Sequence, residues 1–244
     1  MLDYKKFYIN GQWVDPVKKN DFEVINPSDE SVCAIISLGS QADTDAAVSA
    51  AKAAFPMWSS STKEDRIELL EKLYDIYQRR MDEMAEVISM EMGAPIDFAK
   101  RSQAPSGTEA IEDFLIQLRK FEFEKQLDDS DNQLIYEPKG VCALITPWNW
   151  PISQVALKVI PAIAAGCTMV LKPSEIAPLD SMIFTDMLEE AGCPAGVFNL
   201  VNGDGAGVGS QLTSHPDIDM VSFTGSTRAG ALISHNAADD FKRV

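Results

Sequence analysis

The chain has 244 residues, enough to bury a sizeable core, and its 45% hydrophobic and 24% charged residues are ordinary for a globular protein. It carries 37 acidic against 21 basic residues, a formal charge of −16, so most of its surface repels polyanions. We therefore expect neither nucleic acid nor an anionic membrane as a partner, while a local cationic site for a phosphorylated cofactor stays open.

The sequence carries no pattern of export, membrane insertion or metal binding. Residues 1–6 lack the apolar run of a signal peptide, and no stretch approaches the roughly 18 apolar residues of a spanning helix. The four cysteines form no Cys-x-x-Cys pair, and His215 and His235 do not stand near them in any zinc-like spacing. We expect a reducing, cytoplasmic setting without a metal site.

The first forty residues have the pattern of strands. Two short apolar runs, residues 7–9 and 12–14, flank Asn10-Gly11, a strong hairpin signal because both turn positions must tolerate positive φ. Residues 31–38 are a further apolar, β-branched run.

Helical patterns follow. An alanine-rich helix is predicted over residues 43–55, and a second helix opens at Thr62, with Asp65 as a capping partner, and closes at Gly93. The apolar positions of this second helix alternate by three and four and predict one continuous stripe on a core: Ile67, Leu70, Tyr74, Tyr77, Met81, Met84 and Ile88. A ligand groove is the alternative to core packing there. A third helix is predicted over residues 108–121.

From residue 123 the pattern changes twice. Residues 123–140, with Asp128, Asp129 and Asp131 between short β-like runs, predict a projecting hairpin. Buried strands then alternate with helices, which predicts a parallel α/β sheet with helical crossovers. The strands are expected at residues 141–146, 168–172, 197–201 and 220–224, and the helices from Ile152, over 180–190, after 201 and from Ser226.

Ligands bind at the carboxyl ends of the strands in such sheets, and polar clusters follow all four strands. Lys172 and Glu175 follow the second strand, where an ammonium and a carboxylate together suit the two hydroxyls of a ribose. An exposed salt bridge is the alternative. Asn149, between Trp148 and Trp150 after the first strand, has an amide that can donate to an oxyanion in a site kept dry by aromatics, although a loop asparagine is more often a turn residue.

Glycines mark the other two strand ends. Thr224-Gly225-Ser226 stands between a strand and a helix, where free amides and the helix dipole favour a phosphate; a simple N-cap at Ser226 is equally compatible. Residues 203–209 are rich in glycine but do not match Gly-x-Gly-x-x-Gly. Taken alone, this segment is equally compatible with a cofactor-binding loop and with a flexible turn.

In this order, the motifs Thr146-Pro147-Trp148-Asn149-Trp150-Pro151, Lys172-Pro173-Ser174-Glu175 and Phe223-Thr224-Gly225-Ser226-Thr227 resemble the aldehyde dehydrogenase superfamily, at about the family's separations. Residues 7–14 also resemble the family's start, and the resemblance covers the whole chain. It implies a Rossmann-like parallel sheet preceded by a strand and helix segment. The NAD-binding domain would comprise residues 1–122 and 141–244, and residues 123–140 would be the oligomerisation hairpin of a homo-oligomer.

The resemblance also implies roles for individual residues. Asn149 would help to hold the oxyanion of a cysteine thiohemiacetal as an aldehyde is oxidised to a carboxylic acid. The cofactor would be NAD, with NADP less expected because the Glu175 carboxylate repels a 2′-phosphate. The cofactor-binding residues would be Ile145, Thr146, Pro147 and Trp148 at the nicotinamide side, Lys172 and Glu175 at the adenosine ribose, Gly205 and Gly209 beneath the cofactor, and Phe223, Thr224, Gly225, Ser226 and Ala229 at the adenine and pyrophosphate.

The sequence departs from the family at its end. The family's Glu-Leu-Gly-Gly strand, which brings the general base, comes next, and the nucleophilic cysteine follows in a separate domain; residues 241–244 resemble only the first residues of that strand. The cysteines of this chain, which are Cys33, Cys142, Cys167 and Cys193, are expected to be inert packing residues. We expect the chain to be inactive alone; the alternative is a naturally short binding or assembly module.

Overall fold

The amino-terminal strands divide between two sheets in the computed structural model, which describes residues 2–128 and 130–244. The strands are β1 (Leu2–Tyr4), β2 (Phe7–Ile9), β3 (Gln12–Val14), β4 (Asp21–Ile25) and β5 (Val32–Ser37). β1, β5 and β4 form one sheet, whereas β2 and β3 form an antiparallel hairpin. Its turn residues Asn10 and Gly11 have φ of 52° and 75°, which confirms the predicted hairpin.

The helical segment contains more elements than predicted. They are α1 (Gln41–Ser59), α2 (Lys63–Arg79), α3 (Met81–Met92), α4 (Ile96–Phe98), a π-helical turn (Ala99–Gln103) and α5 (Pro105–Lys120). Thr62 and Asp65 form the predicted capping box, and Gly93 ends α3 with φ of 80°. The third helix begins at Pro105, earlier than predicted, because proline is well suited to a first helical position.

The prediction of one continuous helix over residues 62–93 is wrong, because the helix breaks at Arg80. Arg80 has φ of −107° and ψ of 15°, and its amide donates to the carbonyls of Ile76 and Tyr77. Basic Arg79 ends α2 and acidic Glu83 stands in the first turn of α3, so each charge suits the dipole of its own helix end. The apolar stripe nevertheless faces the core as predicted, with Leu70, Tyr77, Met84 and Ile88 fully buried and the other members partly buried.

The predicted projecting hairpin is present as a separate two-stranded sheet. It consists of β6 (Glu124–Gln126) and β7 (Gln133–Ile135), paired antiparallel and exposed along both strands. Of the aspartates that marked this segment, Asp129 lies outside the described residues.

The remaining elements alternate between strand and helix. They are β8 (Val141–Ile145), α6 (Pro151–Ala165), β9 (Thr168–Lys172), α7 (Leu179–Glu190), β10 (Phe198–Leu200), a π-helical turn (Gly205–Gly209), α8 (Ser210–Ser214), β11 (Met220–Phe223) and α9 (Thr227–Ala238). Their strands form the predicted parallel sheet, in the order β11-β8-β9-β10. The hairpin β2–β3 extends this sheet beyond β10, which the sequence did not predict. Arg243 forms a parallel bridge with Met220 of β11, as the strand-like pattern of residues 241–244 suggested.

A buried asparagine joins the amino-terminal hairpin to the parallel sheet. The side-chain amide of Asn199 in β10 donates to the carbonyls of Met169 and Gly196, at 3.1 and 2.9 Å. Its Oδ1 accepts from the main-chain amide of Asn10 at 2.9 Å. Because β2 and β10 share a single register pair, Leu200 with Tyr8, this side chain supplies much of the connection.

Two hydrophobic layers cover the sheet, and alternate strand residues enter each of them. On one face Cys142 and Leu144 pack with α6 and α7, and on the other Ala143 and Ile145 pack with α1 and α9. Burial on both faces explains why these strands are continuous apolar runs. In the part of the chain that is described, no helix combines the length and apolarity needed to cross a membrane.

Candidate functional site

The carboxyl ends of the four parallel strands meet at one edge of the central sheet. Ile145, the last residue of β8, is paired with Lys172 of β9 on one side and with Phe223 of β11 on the other. Because the strands are parallel, the loops after β8, β9, β10 and β11 all leave from this edge. The structure thus brings together the polar and glycine clusters that the sequence singled out, at the place where ligands bind in doubly wound sheets.

Lys172 is the buried centre of this edge. Its side chain is only 4% exposed, and its Nζ donates to the carbonyls of Pro173 and Gly203 at 2.7 and 2.6 Å. The Oε2 of Glu175, a residue with a partly exposed side chain, lies 3.5 Å from the same Nζ. Burial lowers the pKa of Lys172. The pair is therefore not the exposed salt bridge weighed as the alternative, since Lys172 ties two strand-end loops together and leaves Glu175 facing outward.

The glycine segment after β10 lies against Lys172. Asp204 begins the π-helical turn, and its Oδ1 accepts from the amide of Gly207 at 2.5 Å. A Cβ at Gly209 would meet the Asp204 carbonyl at 3.3 Å and the Lys172 Cδ at 3.9 Å, whereas a Cβ at Gly205 would meet no atom within 4 Å. Gly209 thus allows a close approach to Lys172, while Gly205 borders open space at the strand edge.

The segment after β11 is a capped helix start. The Ser226 Oγ accepts from the amide of Ala229 at 3.3 Å, so Ser226 is the N-cap of α9. The sequence was equally compatible with this cap and with a phosphate site. A Cβ at Gly225 would come within 2.4 Å of the Phe223 ring, so the ring position requires glycine there. Ser226 is exposed. The cap uses the Ala229 amide, while the amides of Thr227 and Arg228 have no hydrogen-bond partner within the described residues and can meet an anion.

Lys158 belongs to this edge and was missed as a site residue. Its Nζ donates to the Thr224 Oγ1 at 2.7 Å, which links α6 to the end of β11. Burial lowers its pKa. In the sequence, the feature that could have pointed to Lys158 is that it is a lone charge within the apolar run of residues 155–170.

Asn149 lies in the exposed loop between β8 and α6. Trp148 and Trp150 beside it are 49% and 36% exposed, so within the described residues the indoles do not enclose the asparagine. The Phe98 ring packs edge-to-face on Trp150 at 5.7 Å, and Gln103 Nε2 lies 3.5 Å from the Asn149 carbonyl. Both neighbours come from the segment of α4 and the π-helical turn, for which the sequence gave no site signal.

None of the four cysteines lies at the carboxyl edge. Cys142 is the second residue of β8 and Cys167 precedes β9, both toward the opposite end of the sheet, while Cys33 lies in β5 and Cys193 follows α7. Burial raises the pKa of Cys33 and raises that of Cys193 to about 12. Within residues 2–128 and 130–244 no cluster of histidine, cysteine and acidic side chains could hold a metal ion.

The fold defines a doubly wound α/β protein whose strand-end loops lie where proteins of this class bind ligands. A family model described as "Aldehyde dehydrogenase family" matches residues 13–244, and the chain belongs to this family.

Relatives and solved structures agree along the whole chain. A 3-succinoylsemialdehyde-pyridine dehydrogenase from a Pseudomonas species is 51% identical over all of this chain and 51% of its own length. The crystal structure of an aldehyde dehydrogenase from Bartonella henselae has a TM-score of 0.99 at 54% identity, covering 100% of this chain and 52% of the other. A mutant of aldehyde dehydrogenase C from Pseudomonas syringae, solved with NAD+ and octanal, has a TM-score of 0.96 at 47% identity, covering 98% and 49%. The chain spans about half the length of the curated relatives it matches.

Proposed function

We propose that the chain is the amino-terminal, cofactor-binding portion of an NAD-dependent aldehyde dehydrogenase that oxidises an aldehyde to a carboxylic acid. The observation that carries the proposal is the Lys172–Glu175 pair at the end of β9, a buried ammonium beside an outward-facing carboxylate. The similar enzyme from Pseudomonas syringae was solved with NAD+, which supports the choice of cofactor.

The residues at the edge fit a dinucleotide. Lys172 Nζ uses two donors on carbonyls, and its third donor makes only a long contact of 3.5 Å with Glu175 Oε2. That donor and the Glu175 carboxylate can serve the two hydroxyls of the adenosine ribose. The open space at Gly205 and the amides of Thr227 and Arg228 suit the pyrophosphate, beside Gly209, Phe223, Thr224, Gly225 and Ala229. The path toward the nicotinamide would pass Ile145, Thr146, Pro147 and Trp148.

When bound, NAD supplies the hydride acceptor of the reaction. This chain's own contribution to the chemistry is Asn149, whose side-chain amide would donate to the oxygen that becomes negative when a thiol adds to the aldehyde. The nucleophilic cysteine and the general-base glutamate would come from the half of the relatives' length that the chain does not span. Since no cysteine of this chain lies at the carboxyl edge, we expect the 244 residues alone to show no dehydrogenase activity.

The proposed domains are residues 1–122 with 141–244 for the cofactor and residues 123–140 for homo-oligomerisation. Around the hairpin Ile135 and Tyr136 are exposed, and an apolar groove of about 320 Å³ lies beside them, lined by Phe121, Phe123 and Pro161 among others. Large exposed apolar patches favour association, and light scattering should give a mass above that of a monomer. The free cysteines support the proposed cytoplasmic location.

Calorimetric titration of the chain with NAD and with NADP tests the cofactor proposal. We expect NAD to bind on the order of tenfold tighter or more, because Glu175 accepts from the ribose hydroxyl and repels a phosphate. Glu175→Gln should narrow the ratio of the two affinities. Glu189→Gln, at the exposed carboxyl end of the otherwise buried α7, is the matched control. Tighter binding of NADP by the unchanged chain would contradict the proposal.

An activity assay tests the proposal that the 244 residues alone have no dehydrogenase activity. The chain should not reduce NAD with any of a panel of aliphatic and aromatic aldehydes. Turnover that disappears when one of its four cysteines is replaced by serine would show that the nucleophile lies within these residues.

A further inference from the structure

Helix α7 begins directly after the loop that follows Lys172 and carries Glu175. The start of this helix has an unusual cap. The N-cap residue is Pro178, which provides no side-chain hydrogen bond. Instead Glu91, near the end of α3, reaches the first turn from 88 residues away. Its Oε2 accepts from the amide of Leu179 at 2.6 Å, and its Oε1 accepts from the amide of Asp180 at 2.8 Å. One distant carboxylate therefore takes the place of a local cap.

A second carboxyl group shares this buried place. Asp180 is 0% and Glu91 1% exposed, and the two side chains are in hydrogen-bonding contact. The Asp180 Oδ2 has no donor within the described residues, and Ser181 Oγ approaches only Oδ1, at 3.4 Å. Two buried carboxylates in contact cannot both stay ionised, and a proton between them would satisfy the orphaned oxygen.

Among the described residues, the neighbours that shift the pKa values of the pair include no lysine or arginine. Tyr77 of α2 and Cys33 of β5 are the titratable neighbours, and both have raised pKa values, to which the carboxyls contribute. Burial, reinforced by Asp180, raises the pKa of Glu91 well above its usual range, and burial raises that of Asp180 to about 7. Because the two carboxyl groups are in contact, they titrate as one coupled unit.

We infer that Glu91 and Asp180 are positioning residues that hold the cofactor loop, residues 172–178, through one shared proton. The cap anchors the carboxyl end of this loop, while Lys172 anchors its amino end. Loss of the proton places two like charges in contact at the start of α7 and loosens the anchor. The consequence for NAD rests on the proposed function, but the effect on the loop does not.

The sign of the pH dependence follows from the raised pKa values. Asp180 retains in the folded chain a proton that it has already lost in the unfolded chain, so the stabilising contribution of this proton is full below pH ~4 and is lost as pH rises through about 7. Asp180→Asn keeps the shape, removes the ionisation and lets an amide donate to Glu91. Glu189→Gln, at the exposed carboxyl end of α7, is the matched control.

Two measurements on the chain test the inference between pH 5 and 8.5. The urea midpoint of the unchanged chain and of Glu189→Gln should fall across this range, while Asp180→Asn should have a flatter profile and a higher midpoint at pH 8. Hydrogen exchange of peptides over residues 172–181, corrected for the chemical rate, should quicken with pH on the order of tenfold in the unchanged chain and not in Asp180→Asn.

If the urea midpoints of Asp180→Asn and Glu189→Gln changed equally with pH, the inference of a shared proton would be wrong. A loss of pH dependence in the midpoint, with no change in loop exchange, would overturn the positioning role. Stabilisation of the unchanged chain at pH 8 by sodium or potassium over tetramethylammonium, absent in Asp180→Asn, would show that a cation bridges the pair and would also overturn the inference. If NAD fails to bind at every pH, the proposed function fails, while the midpoint and exchange profiles still decide the role of the pair.

Discussion

Replacing Lys172 by methionine tests the strand edge most directly. Methionine keeps most of the length and removes the ammonium, so the carbonyls of Pro173 and Gly203 lose their donors and Glu175 loses its neighbour. A hydrogen bond to a charged group contributes about 1.5–3 kcal/mol. If the third donor of Lys172 serves the ribose, the Kd for NAD should therefore rise about 10- to 100-fold.

The same substitution should change stability by less than its two lost hydrogen bonds suggest. Burial lowers the pKa of Lys172, which means that the folded chain holds this cation at a cost, and methionine removes that cost together with the bonds. We expect a net loss of about 1–3 kcal/mol. Lys100→Met, which removes only an exposed ion pair with Asp82, is the control and should leave the urea midpoint unchanged.

Calorimetric titration of both variants with NAD gives the Kd, and urea unfolding of both variants gives the change in stability. An NAD affinity of Lys172→Met equal to that of Lys100→Met would refute the ribose role of Lys172. An unchanged urea midpoint would refute the claim that its buried ammonium holds the two loops together.

Further predictions concern the reaction and the fold. In the intact enzyme Asn149→Ala should lower turnover by about 10²–10³ with little change in cofactor affinity, and Ser226→Ala should mainly weaken NAD binding. Steady-state kinetics with varied NAD separate the two, and unchanged turnover of Asn149→Ala would refute the oxyanion role. Gly166→Ala should cost about 2 kcal/mol or more, because φ is 81° and the new Cβ lies 2.4 Å from the Arg66 Nη2. Gly192→Ala, with φ of 83° and no atom nearby, isolates the backbone strain, and equal urea midpoints for the two would contradict the clash.

The features that the sequence predicted well are those set by local rules. A parallel strand covered on both faces is a continuous apolar run, and Thr62 and Asp65 form a capping box within four residues. Lys172, Phe223 and Ile145 could be placed at one edge because parallel strands end together. These signals need no knowledge of distant parts of the chain.

What the sequence did not predict depends on contacts between distant segments. The break at Arg80 leaves the apolar stripe intact, so periodicity alone does not reveal it. Gln103 approaches the Asn149 loop through a π-helical turn that no local pattern marks, and Glu91 caps a helix 88 residues further on. Such side chains look like ordinary polar positions until the fold brings their partners to them.

Asn199 has a consequence for the order in which the chain folds. The hairpin β2–β3 is local and can close within microseconds, but the Asn199 bond to Asn10 spans 189 residues. The hairpin can pack against α1 early, but it has no strand of the parallel sheet to pair with until β10 has been made and has paired with β9. During synthesis on a ribosome, β2–β3 is the first hairpin to emerge but joins the parallel sheet late. Until then the edge of β2 that later pairs with β10 has no partner strand.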